Sequence, residues 1–352
     1  MRRTNRVASF GFTAPLNRIA KMRAARFALL VASAALLSLA QTVSGAILAP
    51  PYSLDYTLVD LGAADNVPTN YSTLVVNPNN TNQLLVGGSA NGPSAVIDRV
   101  TVTRDINGHI TGFVPNSTQQ VSTASSGVGG IDGGLQYGPG GVLFFTSYSD
   151  NHLGEIKPGS TTPDKFINLT AAGVASSTGS LAFVPNGFAN AGHLKITSYN
   201  GGGIYDTTIS PDGSGTYDIA QPVTPGPNTG AGPEGLAFIR AGNADFPANS
   251  LLIAEYGAGR VSAYLLDANS DPILASRTDF ITGLSGASGA TIDPVTGDFL
   301  FDTFGGGNHV IEVRGFVAVP EPASIVLIGA GAATLLLGIR RRSRPSRSAL
   351  VD

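Results

Sequence analysis

Between residues 47 and 318 the chain alternates short apolar runs with clusters of Gly, Ser, Thr, Asn and Pro. No window carries a 3.6-residue apolar period across three turns, so the pattern predicts strands and no long helix. The runs recur in a fixed order. One unit reads Gly235-Leu-Ala-Phe238, then Ser250-Leu-Leu-Ile-Ala-Glu-Tyr256, then Arg260-Val-Ser-Ala-Tyr-Leu-Leu266. Others begin at Gly134-Leu135, Gly179-Ser180-Leu181 and Gly289-Ala290, and a degenerate copy begins at Ser72-Thr-Leu74. With Leu74, Leu135, Leu181, Leu236 and Ala290 as equivalents, the spacings are 61, 46, 55 and 54 residues.

Short strands repeating at that interval, separated by Gly/Asn/Asp turns, predict an all-β fold, a five- or six-bladed β-propeller. Five copies are visible, and residues 101–126 are the stretch from which a sixth blade would come. A β-sandwich is the alternative, but it gives no reason for the recurring order. Small residues in the first strand of each unit suit a crowded axis, and continuously apolar second strands suit burial between stacked sheets. Asn107-Gly108, Asp212-Gly213 and Gly297-Asp298 mark hairpin turns. Tyr56-Thr-Leu-Val-Asp60 is expected to join the last blade and seal the ring.

Charge divides the chain into three parts. Residues 1–46 carry seven basic residues and no acid, and residues 340–352 carry five arginines and Asp352. Residues 47–319 hold nine basic residues against 22 acidic ones, a net of −13. The whole-chain value of −3 hides that acidity, which argues against nucleic acid as a partner. A 42% apolar and 13% charged composition excludes a wholly disordered chain, and the absence of Cys excludes disulfides and thiolate chemistry.

Both ends read as address segments. From Met22, which is either the start or follows a long leader from Met1, a basic stretch precedes an apolar run and the small residues Ser44 and Ala46. This is the pattern of a signal peptide, residues 1–46, cleaved near Ala46. At the other end Val319-Pro320-Glu321-Pro322 leads into an uncharged stretch, 323–339, followed by Arg340, Arg341, Arg342 and Arg344. The stretch is long enough for a thin transmembrane helix, and the arginines predict that its far end stays cytoplasmic. These three parts resemble the PEP-CTERM sorting signal, which places the boundary of the β-propeller-like domain, 47–318, at a sorting segment, 319–352. The resemblance implies cleavage near residues 320–322 by an exosortase-type membrane protease. It also implies export from a Gram-negative bacterium that makes exopolysaccharide, with transient anchoring in the inner membrane before release to the outer surface or matrix.

Gly232-Pro-Glu-Gly-Leu-Ala-Phe238 and Tyr256-Gly-Ala-Gly-Arg-Val261 are similar to NHL and SMP-30-like propellers. Propeller loops entering the first strands ring one mouth of the axis, and here they bring Asp132, Glu234, Ser288 and Ser180. Two carboxylates there would suit Ca²⁺, a hard cation taking oxygen ligands, or would cap loop amides instead. SMP-30-like lactonases hold one metal through acidic and Asn residues. Only Glu234 matches that placement, and the matching Asn ligands are not evident. His109, His152, His193 and His309 form no HxH or HExxH pattern and are expected as surface turn residues. Asp267-Ala-Asn-Ser-Asp271 begins like a calcium loop, but Pro272 and Thr278 stand where Gly and Glu are needed, so it is expected as a hairpin turn.

Two functions follow. The first is an exported, non-enzymatic binding or structural propeller without a resident cofactor, meeting exopolysaccharide or another surface protein. The second is a metal-dependent lactonase or lyase acting on sugar derivatives.

Overall fold

The computed structural model describes residues 45–317 apart from residue 306. Strands β1 (Ile47–Leu48) and β2 (Thr57–Gly62) precede five antiparallel blades. The first blade comprises β3 (Thr73–Val76), β4 (Gln83–Gly88) and β5 (Val96–Arg104); β6 (Ile110–Phe113) and β7 (Gln119–Thr123) both pair with β5. The second holds β8 (Gly130–Tyr137), β9 (Leu143–Tyr148), β10 (His152–Ile156) and β11 (Lys165–Asn168). In the third, β12 (Thr178–Phe183), β13 (Leu194–Ser198) and β14 (Gly203–Thr207) are followed by an inserted hairpin, β15 (Ile209–Pro211) and β16 (Tyr217–Ile219). Strand β17 (Thr224–Asn228) completes that blade. The fourth has β18 (Pro233–Ile239), β19 (Ser250–Glu255), β20 (Arg260–Leu265) and β21 (Thr278–Thr282), and the fifth β22 (Ala287–Ile292), β23 (Phe299–Thr303) and β24 (Val310–Arg314).

Among the described residues there are five blades and no sixth. Residues 101–126 extend the outer part of the first blade, turning at Asn107-Gly108 between β5 and β6. The ring closes as expected: β2 pairs with β24 as the outermost strand of the fifth blade, with Leu58 opposite Val313. In addition β1 pairs with β21, giving the fourth blade a fifth strand.

The continuous apolar runs are explained by two-sided burial, because successive side chains of a strand point to opposite faces. In β19, Leu251 and Ile253 enter the core shared with the third blade, while Leu252 and Ala254 enter the core shared with the fifth. In β23, Phe299 and Phe301 face the fourth blade and Leu300 the first. Five such cores, one between each neighbouring pair, make the ring. The largest adds an aromatic group, in which Tyr52, Tyr56, Phe246, Phe280 and Phe316 pack at centroid distances from 4.5 Å.

Strand β13 breaks the rule. Lys195 stands where the equivalent strands have Leu85, Phe144, Leu252 and Leu300, and it is 1% exposed. Its ammonium donates to Asp206 at 2.6 Å, to Asp271 at 2.7 Å and to the Asn269 carbonyl at 3.1 Å. The Asp267–Asp271 turn therefore ties the third blade to the fourth by charge, beside the apolar core those two blades share. Removing one partner of a buried ion pair strands the other, so Lys195→Ala is expected to lower stability by about 3–5 kcal/mol. Urea denaturation measures it, and a loss well under 1 kcal/mol would show that the triad is solvated.

A second contact joins the first blade to the fifth. The β5–β6 turn lies against the β22–β23 turn and β24. Arg104 pairs with Asp293 at 2.5 Å, His109 Nδ1 with Asp298 at 2.5 Å, and Arg314 donates to the Ile110 carbonyl at 2.6 Å. Gly108 is required there: its φ is +92°, and a Cβ would lie 3.1 Å from Val295.

Candidate functional site: the axial mouth

Strand β18 skips register between Pro233 and Leu236 where it pairs with β19, and β8, β12 and β22 carry bulges at the same level. A bulge re-aims side chains, and here it turns residues of the innermost strands toward the axis. Ser180 and Ser288 lie at these bulges, but their hydroxyls donate to the Gly133 and Ser72 carbonyls at 2.8 and 2.7 Å. They join adjacent blades. Thr146 does the same, accepting from the Gly134 amide and donating to the Gly179 carbonyl.

Glu234 and Asp132 differ from these. The Glu234 side chain is buried, and its Oε2 has no hydrogen-bond partner. That oxygen lies 2.3 Å from where a Cβ of Gly133 would be and 2.9 Å from that of Gly179. Glu234 belongs to the fourth blade, Gly179 to the third and Gly133 to the second, so the side chain reaches across the axis, and glycine makes room for it. Asp132 is 6% exposed and accepts from its neighbour's amide at Gly133; with the Asn91 amide turned to donate, Oδ1 also receives a bond at 3.1 Å.

A third carboxyl, Asp302, was not foreseen. It stands on β23 at the position of Thr146 and Thr197, and its Oδ1 accepts from the bulge amide of Gly289 at 2.9 Å while Oδ2 has no partner. Burial pushes the Asp132, Glu234 and Asp302 carboxyls well above the usual range, and the charges of Asp132 and Asp302 push Glu234 further. The signal for Asp302 was available: an acid inside the run Phe299-Leu-Phe-Asp-Thr303 has no place in a two-sided core unless it meets polar groups.

Aromatic side chains surround this end of the axis. The residue following the second strand, or ending it, is Tyr148, Tyr199, Tyr256 or Phe304 in four blades and Ser89 in the first. Tyr199 and Tyr256 have ring centroids 5.8 Å apart at 76°, and Tyr256 and Phe304 are 6.2 Å apart at 64°. The Tyr256 amide donates to the Gly232 carbonyl at 3.0 Å, two residues before Glu234. The Tyr199 ring passes 2.6 Å from the Cβ position that Gly232 leaves empty. The Tyr256 hydroxyl is raised by burial, then by Tyr199, Glu234 and Asp132.

At the opposite end of the axis the last residues of the inner strands enclose a cavity of about 430 Å³, lined by Phe183, Phe188, Phe238, Arg240, Ile292 and Val317 among others.

Among the described residues, His109, Asp298 and Glu312 are the group whose ligand atoms come within 4.8 Å of one another. Asp132, Glu234 and Asp302 do not form such a group. The histidine cluster is occupied by its own contacts, with Glu312 accepting from the Ile110 amide and Arg314. The four histidines stand at or beside turns, half-buried, each with an aspartate near Nδ1: His109 bonds Asp298, His193 bonds Asp206 and His309 bonds Asp60, while His152 Nδ1 lies 3.1 Å from Asp150 without a hydrogen bond. Calcium-like Asp267–Asp271 is the hairpin turn expected of it.

Ala46 packs against the largest core. Ser44, Val319, Pro320, Glu321, Pro322, Arg340, Arg341, Arg342, Arg344 and the span 323–339 lie outside the described residues. Among the described residues no helix is long and apolar enough to cross a membrane.

Fold and sorting segment together define an exported five-bladed propeller. Residues 318–342 match the PEP-CTERM protein-sorting motif, the signal for processing by an exosortase, which is a membrane protein. No curated protein matches the chain. Solved structures similar to it include an auxiliary nutrient binding protein of Bacteroides ovatus, at 12% identity over 74% of this chain and 76% of that one, with a TM-score of 0.40. A putative 6-phosphogluconolactonase of Bacteroides uniformis shares 14% over 76% and 80%, with a TM-score of 0.39. Virginiamycin B lyase of Staphylococcus aureus shares 13% over 74% and 99%, with a TM-score of 0.37.

Proposed function

We propose that the exported propeller is a non-catalytic binding protein of the outer surface or extracellular matrix, with the axial mouth as its binding site. One observation carries this reading: Glu234, a buried carboxyl reaching across the axis, has an oxygen without a donor. An unmatched buried acid costs free energy until a cation or hydrogen-bond donor reaches it. Glu234 and Asp132 are 5% and 6% exposed, so such a group would meet them at the base of the mouth. Signal-peptide cleavage after Ala46 would leave Ile47 as the first residue and β1 intact.

A second reading rests on the same residues. Asp132 and Glu234 would hold Ca²⁺, with Asp302 nearby, and the ion would supply Lewis-acid chemistry to a lactonase or lyase. The unpartnered Glu234 oxygen suits a hard cation, which takes oxygen ligands and completes its shell with water.

Calorimetry of the exported protein with Ca²⁺ and Zn²⁺, paired with a hydrolysis screen on sugar lactones, separates the two. Hydrolysis lost in Glu234→Gln would replace the binding reading with the enzymatic one. Mass spectrometry of the exported protein is expected to find a chain that begins at Ile47 and ends near Glu321 or Pro322. A mature species retaining Arg340–Arg342 would refute processing at the sorting segment.

A further inference from the structure

We infer that the cavity at the end of the axis away from Glu234 is a second binding site. It takes a small carboxylic acid with an apolar body and holds the carboxylate on Arg240. This site is independent of the axial mouth.

The cavity, of about 430 Å³, is the size of a small-molecule site. Leu135, Leu181, Leu236 and Ala290, equivalent residues of four inner strands, belong to its lining. From Leu236 to Arg240, both on the wall, the chain rises about 13 Å. Phe183, Phe238, Ile292 and Val317 make much of the wall apolar.

Charge then selects the ligand. Arg240 and Asp293 are the charged residues of the lining. Both oxygens of Asp293 accept from Arg104, at 2.5 and 3.2 Å, so that acid is compensated. Among the described residues, seven of the nine basic side chains of the body pair with a carboxylate, and Arg240 is not one of them. The cavity is therefore left with one uncompensated charge, and it is positive. The body's net −13 opposes an anion mainly at a distance, where salt screens exposed charges beyond about 8 Å.

The guanidinium is also held in place. Its Nη2 donates to the Asn186 carbonyl at 2.6 Å, which ties the end of β18 to the turn after β12. Its Nη1 lies 2.9 Å from where a Cβ of Gly187 would be, so glycine makes room for it. One of five N–H donors is thus used, and those that remain suit a fork onto two carboxylate oxygens. A neutral hydroxyl would engage one donor and compensate no charge. On the same wall Gln136 Oε1 accepts from the Phe183 amide at 2.6 Å, and its Nε2 stays a donor to the ligand.

Calorimetry of the exported protein at pH 7 with hydrocinnamate, hydrocinnamyl alcohol and acetate tests this. Hydrocinnamate is expected to bind at least about tenfold tighter than the alcohol, which lacks the charge, and than acetate, which lacks the apolar body. Arg240→Gln should weaken it at least about tenfold, and Arg240→Lys by less, because lysine keeps the charge without the fork. Thermal unfolding checks that each variant folds. The chain has no tryptophan, so Val317→Trp places a single indole on the cavity wall. Its emission is expected to shift as hydrocinnamate is added, with the affinity that calorimetry gives.

Equal binding of the acid and the alcohol would overturn the inference, since the guanidinium would then play no part. Binding unchanged in Arg240→Gln, or an indole that does not respond, would place the acid elsewhere and overturn it as well. So would the absence of hydrocinnamate binding in the parent.

Discussion

A chain lacking residues 47–62 is expected to lose cooperative unfolding and to aggregate. The segment carries β1 and β2, which cover the outer edges of the fourth and fifth blades. It also carries Tyr52 and Tyr56, both in the aromatic group with Phe246, Phe280 and Phe316, and Leu58, which packs on the same core. Three large apolar side chains at about 1.5–3 kcal/mol each approach the whole margin of a typical domain, about 5–15 kcal/mol. The bared β24 would then present unpaired backbone groups to a second chain. Thermal unfolding with light scattering compares the deletion with the parent. A cooperative transition within a few degrees of the parent would show that the contact between the β5–β6 turn and the fifth blade closes the ring without β2.

Stability is expected to fall as the pH rises from about 4 toward 8. Asp132, Glu234 and Asp302 hold their protons more tightly in the folded protein than in the unfolded chain, because burial disfavours the charged form. A carboxyl raised on folding gives its stabilisation in full below the unfolded value. That stabilisation is lost as the pH climbs through the folded one, at about 1.4 kcal/mol per pH unit for each proton retained. The Glu155 carboxyl, pushed up to about 7 chiefly by burial, acts in the same direction. Urea denaturation at pH 5, 6, 7 and 8 measures the slope, and Glu234→Gln with Asp302→Asn is expected to flatten it. An unchanged slope in the double variant would place the titrating groups elsewhere. A cation bound at the mouth would oppose the loss, so ligand and alkaline pH should act against each other.

The blades were legible in the sequence because two-sided burial writes itself as uninterrupted apolar runs, as in Leu251–Ala254. The closing strand was legible for a related reason, since Tyr56–Asp60 is strand-like and has no partner of its own repeat. Asp132 and Glu234 were found because they sit beside the glycines that mark each innermost strand. Blade number was not fixed, because residues 101–126 form strands that pair within the first blade and look no different from a blade of their own. Asp302 and Lys195 were hidden inside the runs used to recognise the core, where one charged letter reads as noise. Their partners, Gly289 for one and Asp206 and Asp271 for the other, come from bulges, adjoining strands and another blade. The aspartate partners of the histidines were hidden for the same reason: His309 meets Asp60 from the far end of the described chain.

The described chain ends at Val317, on the wall of the cavity at the end of the axis away from Glu234. While the sorting segment still holds the protein, traction enters at that end. Trimming of the sorting segment therefore acts on chain that leaves from the end of the axis opposite Asp132, Glu234 and Asp302, and it alters none of the contacts made by those three carboxyls.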